Sequence, residues 1–325
     1  MSRPQLRHWI VAALMAAAAV LLAGPAHAET ESQTAEAPAE AASAPAFTAK
    51  GADTCLKCHD EDTAVPVLSI FKTAHARAAD SRTPFAGHQC EACHGAGDTH
   101  ARGGNKDPVP PIRNFGIGKD TPVAEQNATC MACHQGGHRT QWPGSAHDRA
   151  DVPCAACHQV HAPRDPVMTT ASQPEVCYSC HRKERAELMR PSAHPVNQGK
   201  LACSDCHAVH GAPGEALLAS PTVNQTCYRC HAEKRGPFLW EHAPASEDCG
   251  LCHAPHGSNQ AALLVQRPPW LCQSCHAAEG HPSVAYTGRG LAGTTASAFL
   301  LGQSCGNCHS QVHGTNHPSG ATLTR

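Results

Sequence analysis

Aromatic residues make up only 4% of this 325-residue chain, and methionine occupies only 5 positions. Phe, Tyr and Trp dominate the packing of ordinary cores. A chain with few of them, and with 26 glycines and 26 prolines, buries too little of its own apolar surface to offset the entropy of folding. Something other than side chains must supply the interior. Beyond the first 28 residues no stretch approaches the run of about 18 apolar residues that a membrane-crossing helix needs. Lys and Arg number 25 against 27 Asp and Glu, a formal charge of −2, so no basic surface invites nucleic acid. No cysteine stands outside one short motif.

That motif is CxxCH, and ten copies use all 20 cysteines. They are Cys55, Cys58 and His59; Cys90, Cys93 and His94; Cys130, Cys133 and His134; Cys154, Cys157 and His158; Cys177, Cys180 and His181; Cys203, Cys206 and His207; Cys227, Cys230 and His231; Cys249, Cys252 and His253; Cys272, Cys275 and His276; and Cys305, Cys308 and His309. CxxCH is the attachment sequence for c-type haem: two thiols form thioethers to the porphyrin, and the next histidine ligates the iron from below. Tetrahedral zinc sites or disulfides would also use paired cysteines. Neither explains a histidine after the second cysteine in every copy. The prediction is ten covalent haem c groups, with the porphyrins acting as the core and the apoprotein largely unfolded.

The N-terminus reads as an export signal. Arg3 and Arg7 precede an apolar run from Trp9 to Gly24, and Ala26-His27-Ala28 offers a small-x-small cleavage site. Residues 1–28 are therefore expected to be a signal peptide, 29–50 an Ala/Glu/Pro-rich disordered linker, and 51–325 the cytochrome domain. No twin arginine is present and no cysteine follows the cleavage site, so an unfolded, unlipidated chain would reach the periplasm and receive its haems there.

From Cys55 to the C-terminus the chain repeats a two-haem unit five times. Each unit holds a CxxCH, then an isolated histidine, then a second CxxCH closely followed by another histidine. The clearest copies run from Cys130 to His161, Cys177 to His210 and Cys227 to His256. The first unit is longest, with a Gly/Pro-rich insertion near Arg102 to Thr121. The isolated histidines supply ten candidate sixth ligands: His75, His100, His147, His161, His194, His210, His242, His256, His281 and His313. His88, His138 and His317 are left over, with His88 and His317 as substitutes for His100 and His281. Methionine is too scarce for general His/Met coordination, so the irons are predicted to be bis-histidine and of low potential. His161, His210 and His256 follow a motif histidine by only three residues, a reach of about 10 Å, too short to go round the macrocycle. Each must ligate a neighbouring haem. The predicted architecture is an elongated haem wire wrapped by short helices and loops, with little or no β-sheet.

These motifs, with stretches such as WPGSAHDRADVPCAACHQVHAPRDPV, RPSAHPV, CYRCHAEKRGPFLWEHAP and SCGNCHSQVHGTNHPSG, make the chain resemble the periplasmic decahaem c-type cytochromes of the MtrA/DmsE family. The resemblance implies extracellular electron transfer, not an enzyme. It implies a wire seated in an outer-membrane β-barrel porin, carrying electrons between periplasmic or inner-membrane cytochromes and an outer-surface multihaem cytochrome or reductase. It also implies no nucleic-acid partner and no direct insertion into lipid. Iron or manganese reduction, iron oxidation and dimethyl sulfoxide respiration are all compatible with it. The other classes considered are a nitrite- or hydroxylamine-converting multihaem enzyme, which needs an open iron, and a freely diffusing periplasmic electron store.

Overall fold

The computed structural model describes residues 45–63, 65–104, 106–268, 270–276, 305–307 and 309–318. The proposed signal peptide, most of the linker, Cys308 and His281 lie outside the described residues. Among those described, helices are short. The longest is Val123–Met131, followed by Arg182–Leu188 and Gln173–Tyr178. Between them run 3-10 turns, and pairing of extended backbone is confined to isolated bridges such as Ser192 with Ser258 and Trp240 with Thr315. This is the helix-and-loop architecture that the composition predicts.

The motif itself accounts for the short elements. In the copies at Cys55, Cys130, Cys154 and Cys177 the histidine N–H donates to the first cysteine's carbonyl at 2.9–3.0 Å, and the later copies repeat this bond. One α-helical turn is thereby closed on each motif. Residues three and four apart on such a turn share a face, so both thiols and the imidazole emerge on one side. Longer helix adds nothing to that task.

Within a pair, the two motifs are approached differently. In the second to fifth pairs a helix runs into the first, as with Val223–Cys227, and the second begins on a 3-10 turn, as with Cys249–Leu251; in the first pair the second motif is itself a helix, Cys90–His94. Buried Asn224 joins them: its Oδ1 accepts the Cys249 N–H at 2.7 Å and its Nδ2 donates to the Ala245 and Ser246 carbonyls. Asn127 does the same for Cys154 at 2.8 Å. The first cysteines of the two motifs are thus brought face to face.

Apolar side chains pack in a small cluster of Tyr178, Leu188 and Val196, with Ala193 and Leu201 against it, and Phe71 meets buried Phe85 edge-on at 5.4 Å. Tyr178 donates to Asn197 Oδ1 at 2.7 Å. The larger interior feature is a continuous cavity of about 5270 Å³, lined from Thr48 to His313 by cysteines and histidines of the motifs. Divided among ten motifs, that volume gives each a space within the roughly 300–1,000 Å³ range of a small-molecule pocket.

Candidate haem sites

Nine motif histidines have a second histidine ring facing them across the cavity. The pairs are His59 with His100, His94 with His161, His134 with His75, His158 with His210, and His181 with His147. They continue with His207 and His256, His231 and His194, His253 and His313, and His276 and His242. The remaining candidate ligand, His281, lies outside the described residues.

The spacing identifies what these pairs are built for. Centroid distances run only from 5.9 Å to 6.4 Å, while the angle between ring planes ranges from 12° to 88°. Direct stacking would link angle to distance, as in Phe47 on His88 at 3.9 Å and 12°. A constant gap at variable angle fits a single atom held between two nitrogens. Two metal–imidazole bonds of about 2.0–2.1 Å, with the ring half-widths, give a separation near 6 Å. The residues present therefore fit a haem iron with two axial histidines.

Hydrogen bonding at Nδ1 orients the rings and leaves Nε2 for the metal, as expected for metal-ligating histidine. His94 and His100 bond the carbonyls of Arg113 and Pro110, both at 2.8 Å. The insertion in the first unit thus supplies acceptors to two site histidines. His207 and His253 bond the Ala216 and Ala262 carbonyls at 2.8 Å. His158 bonds Asp165 Oδ2 at 2.7 Å, and His256 bonds Glu187 Oε2 at 3.3 Å. His161 differs, its Nδ1 being buried without a partner. Burial lowers the pKa of His94, His161, His207 and His210 from the usual imidazole range. That favours the neutral form that binds metal.

The thiols are ordered as well. Within each pair the first cysteines meet: Cys55 with Cys90, Cys130 with Cys154, Cys177 with Cys203, Cys227 with Cys249 and Cys272 with Cys305. Burial, then the facing Cys90, pushes the free Cys55 thiol up to about 11. Between consecutive pairs the second cysteines come close: Cys93 to Cys133, Cys157 to Cys180, Cys206 to Cys230 and Cys252 to Cys275. Alternating first-cysteine and second-cysteine contacts thread all ten motifs in chain order.

Of the histidines left over, His88 stacks on Phe47 and none of the described 6 Å ring pairs includes His138. Sequence reading missed Asn127, Asn224, Asp165 and Glu187. For the two asparagines a signal existed: each stands three residues before the first cysteine of a pair.

Repeated CxxCH turns around a shared cavity define a multihaem c-type cytochrome. Residues 90–173 match the family described as "Cytochrome c-type protein NrfB-like", and residues 194–236 and 242–281 match the "Doubled CXXCH motif". The cytochrome c-type protein NrfB of Escherichia coli is 29% identical over 150 residues, covering 44% of this chain and 70% of that protein. The Multiheme cytochrome MtrA of Shewanella baltica is 47% identical over 281 residues, 86% of this chain and 83% of that protein. The chain belongs to the MtrA family of multihaem cytochromes: it binds haem c covalently and transfers electrons.

Proposed function

We propose that this cytochrome holds ten bis-histidine haems in chain order and conducts electrons across the outer membrane inside a β-barrel porin. The observation that carries this reading is the interlock of the histidine pairs. The second motif of one unit faces the last histidine of the next unit, as His158 faces His210. The first motif of a unit faces the isolated histidine of the unit before, as His181 faces His147. Consecutive units therefore exchange ligands in both directions, and the first unit closes on itself through His59 and His100.

Bound there, haem supplies a reversible one-electron centre whose potential the axial ligands and their hydrogen bonds tune. The chain's own residues fix the rings, exclude competing ligands and hold neighbouring sites close. In the nine described pairs both histidines would hold the iron and leave it closed to a substrate, which argues against the nitrite- or hydroxylamine-converting enzyme.

The location in this proposal is the periplasmic side of the outer membrane, reached through the signal at 1–28 and with 29–50 as linker. No helix among the described residues is long and apolar enough to cross a membrane. A polar barrel lumen would accept the cytochrome and present its own girdle to lipid. Periplasmic or inner-membrane cytochromes would serve as one partner, and an outer-surface multihaem cytochrome or reductase as the other. Liposomes loaded with a redox dye and given external reductant test this. The co-purified cytochrome and barrel should bleach the dye faster than either alone. Equal rates, or failure to co-purify, would leave the diffusing electron store in its place.

A further inference from the structure

Four equivalent motif histidines can be compared within this one molecule. His94, His158, His207 and His253 each belong to the second motif of their unit, and each directs Nδ1 to an acceptor 2.7–2.8 Å away. For three of them the acceptor is a main-chain carbonyl, which has no net charge. For His158 it is the carboxylate of Asp165.

The local sequence explains the difference. After the second motifs of the third and fourth units the chain turns through Ala216-Leu217 and Ala262-Leu263 with φ between 51° and 59°. That left-handed turn aims the Ala216 and Ala262 carbonyls at the rings. The second unit instead forms the 3-10 turn Pro166–Met168, with Asp165 as its cap. Asp165 Oδ1 accepts the N–H groups of Gln159 and Val167, which holds Oδ2 on His158. The pair is only partly exposed, so solvent screens it incompletely.

A carboxylate accepting the far N–H of a ligating imidazole raises the basicity of that ligand. A more basic ligand favours iron(III) over iron(II) and lowers the potential. Other carboxylates near paired histidines stand farther away, at 3.3 Å for Glu187 on His256, 3.7 Å for Glu233 on His231 and 3.8 Å for Glu184 on His181. At the opposite extreme, the His94 and His161 pair has one ring bonded to a neutral carbonyl and the other with no acceptor.

We infer that Asp165 makes the haem attached at Cys154 and Cys157 the lowest in potential of the four second-motif haems compared, those of His94, His158, His207 and His253, through one positioning residue. The inference rests on the reading that His158 and His210 ligate one iron. Reduction there adds one electron to iron(III), and the Nδ1 proton stays between His158 and Asp165. Among the four compared haems this is the one that electrons populate last.

The test uses the full, haem-loaded protein and its Asp165→Asn variant, which removes the charge but keeps an acceptor oxygen and a turn cap. In potentiometric reduction followed at the haem bands, one haem in ten should move to higher potential. Asp165→Glu should retain the original curve. Superimposable curves for Asp165→Asn and the parent would overturn the inference, as would an even shift spread over all haems. A second measurement needs no variant: near-infrared magnetic circular dichroism of the oxidised parent should show one component displaced towards imidazolate-like ligation, and its absence would also count against Asp165. Failure of the bis-histidine reading appears differently, as carbon monoxide binding by the parent, and would remove both.

Discussion

His147 donates its Nδ1–H to the main-chain carbonyl of Val209 at 2.9 Å, and Val209 is the residue immediately before His210. One site histidine therefore anchors the chain that carries another. The same link recurs from His194 to Pro255, before His256, at 2.6 Å, and from His242 to Val312, before His313, at 2.9 Å. In these three links a ring that crosses from one unit towards the next is tied to a ring crossing back, which makes the interlock a mutual constraint.

The first prediction follows from those pairs. His147→Ala should open the iron served by His181, leaving the irons of the motifs flanking it in sequence at His134 and His158 six-coordinate. Carbon monoxide added to the reduced variant should bind about one haem in ten. His138→Ala, outside any described ring pair, should bind none.

Close approach between units predicts a second effect. A Cβ on Gly257 would lie 2.0 Å from the Glu187 carbonyl oxygen, and one on Gly211 would lie 2.2 Å from that of Gln141 at φ +128°. Both neighbours are main chain and cannot swing aside. Gly257→Ala and Gly211→Ala should each cost about 1–3 kcal/mol by overpacking. The loss should appear as a lower denaturant midpoint, together with high-spin haem, because His256 and His210 are displaced with them. Gly136→Ala, with nothing within 4 Å, is the control and should leave both unchanged.

Glu91 predicts a pH dependence at the N-terminal end. It is buried, and burial alone would raise its pKa, but N–H donors from Gly97 and Thr48 and the Thr48 hydroxyl outweigh that and hold it below the usual carboxylate value. A depressed folded pKa gives stability that is present above the unfolded value, ordinarily about 4.3, and is lost as pH falls through the folded one. Amide exchange at Thr48 and Gly97 should therefore accelerate as pH drops below about 4 relative to amides elsewhere. Glu91→Gln should show the faster exchange at neutral pH.

Haem attachment itself is the fourth expectation. Intact mass of the periplasmic protein should equal the chain plus ten haems, with no free thiol. Chain made without haem attachment should lack stable structure by circular dichroism, since the Tyr178, Leu188 and Val196 cluster is too small a core to fold it. A folded, haem-free chain would contradict the reading of the porphyrins as core.

Much of the chemistry was legible in the sequence because it is local. A CxxCH closes one helical turn, so the number of motifs, the face shared by Cys177, Cys180 and His181, and the shortage of alternative ligands are all visible within a few residues. The repeat also indicated that His161 cannot serve the iron of His158. It could not say which neighbour His161 would face. That outcome depends on contacts between distant segments: the fit of Gly211 against Gln141 and of Gly257 against Glu187, and the bonds from His147 and His194 across to the following unit. Asp165 and the Ala216 carbonyl are likewise unremarkable as sequence, since their role depends on how a turn points one oxygen. Short-range covalent spacing sets the make-up of each CxxCH site, whereas packing between units sets which histidines face each other and what each imidazole leans on.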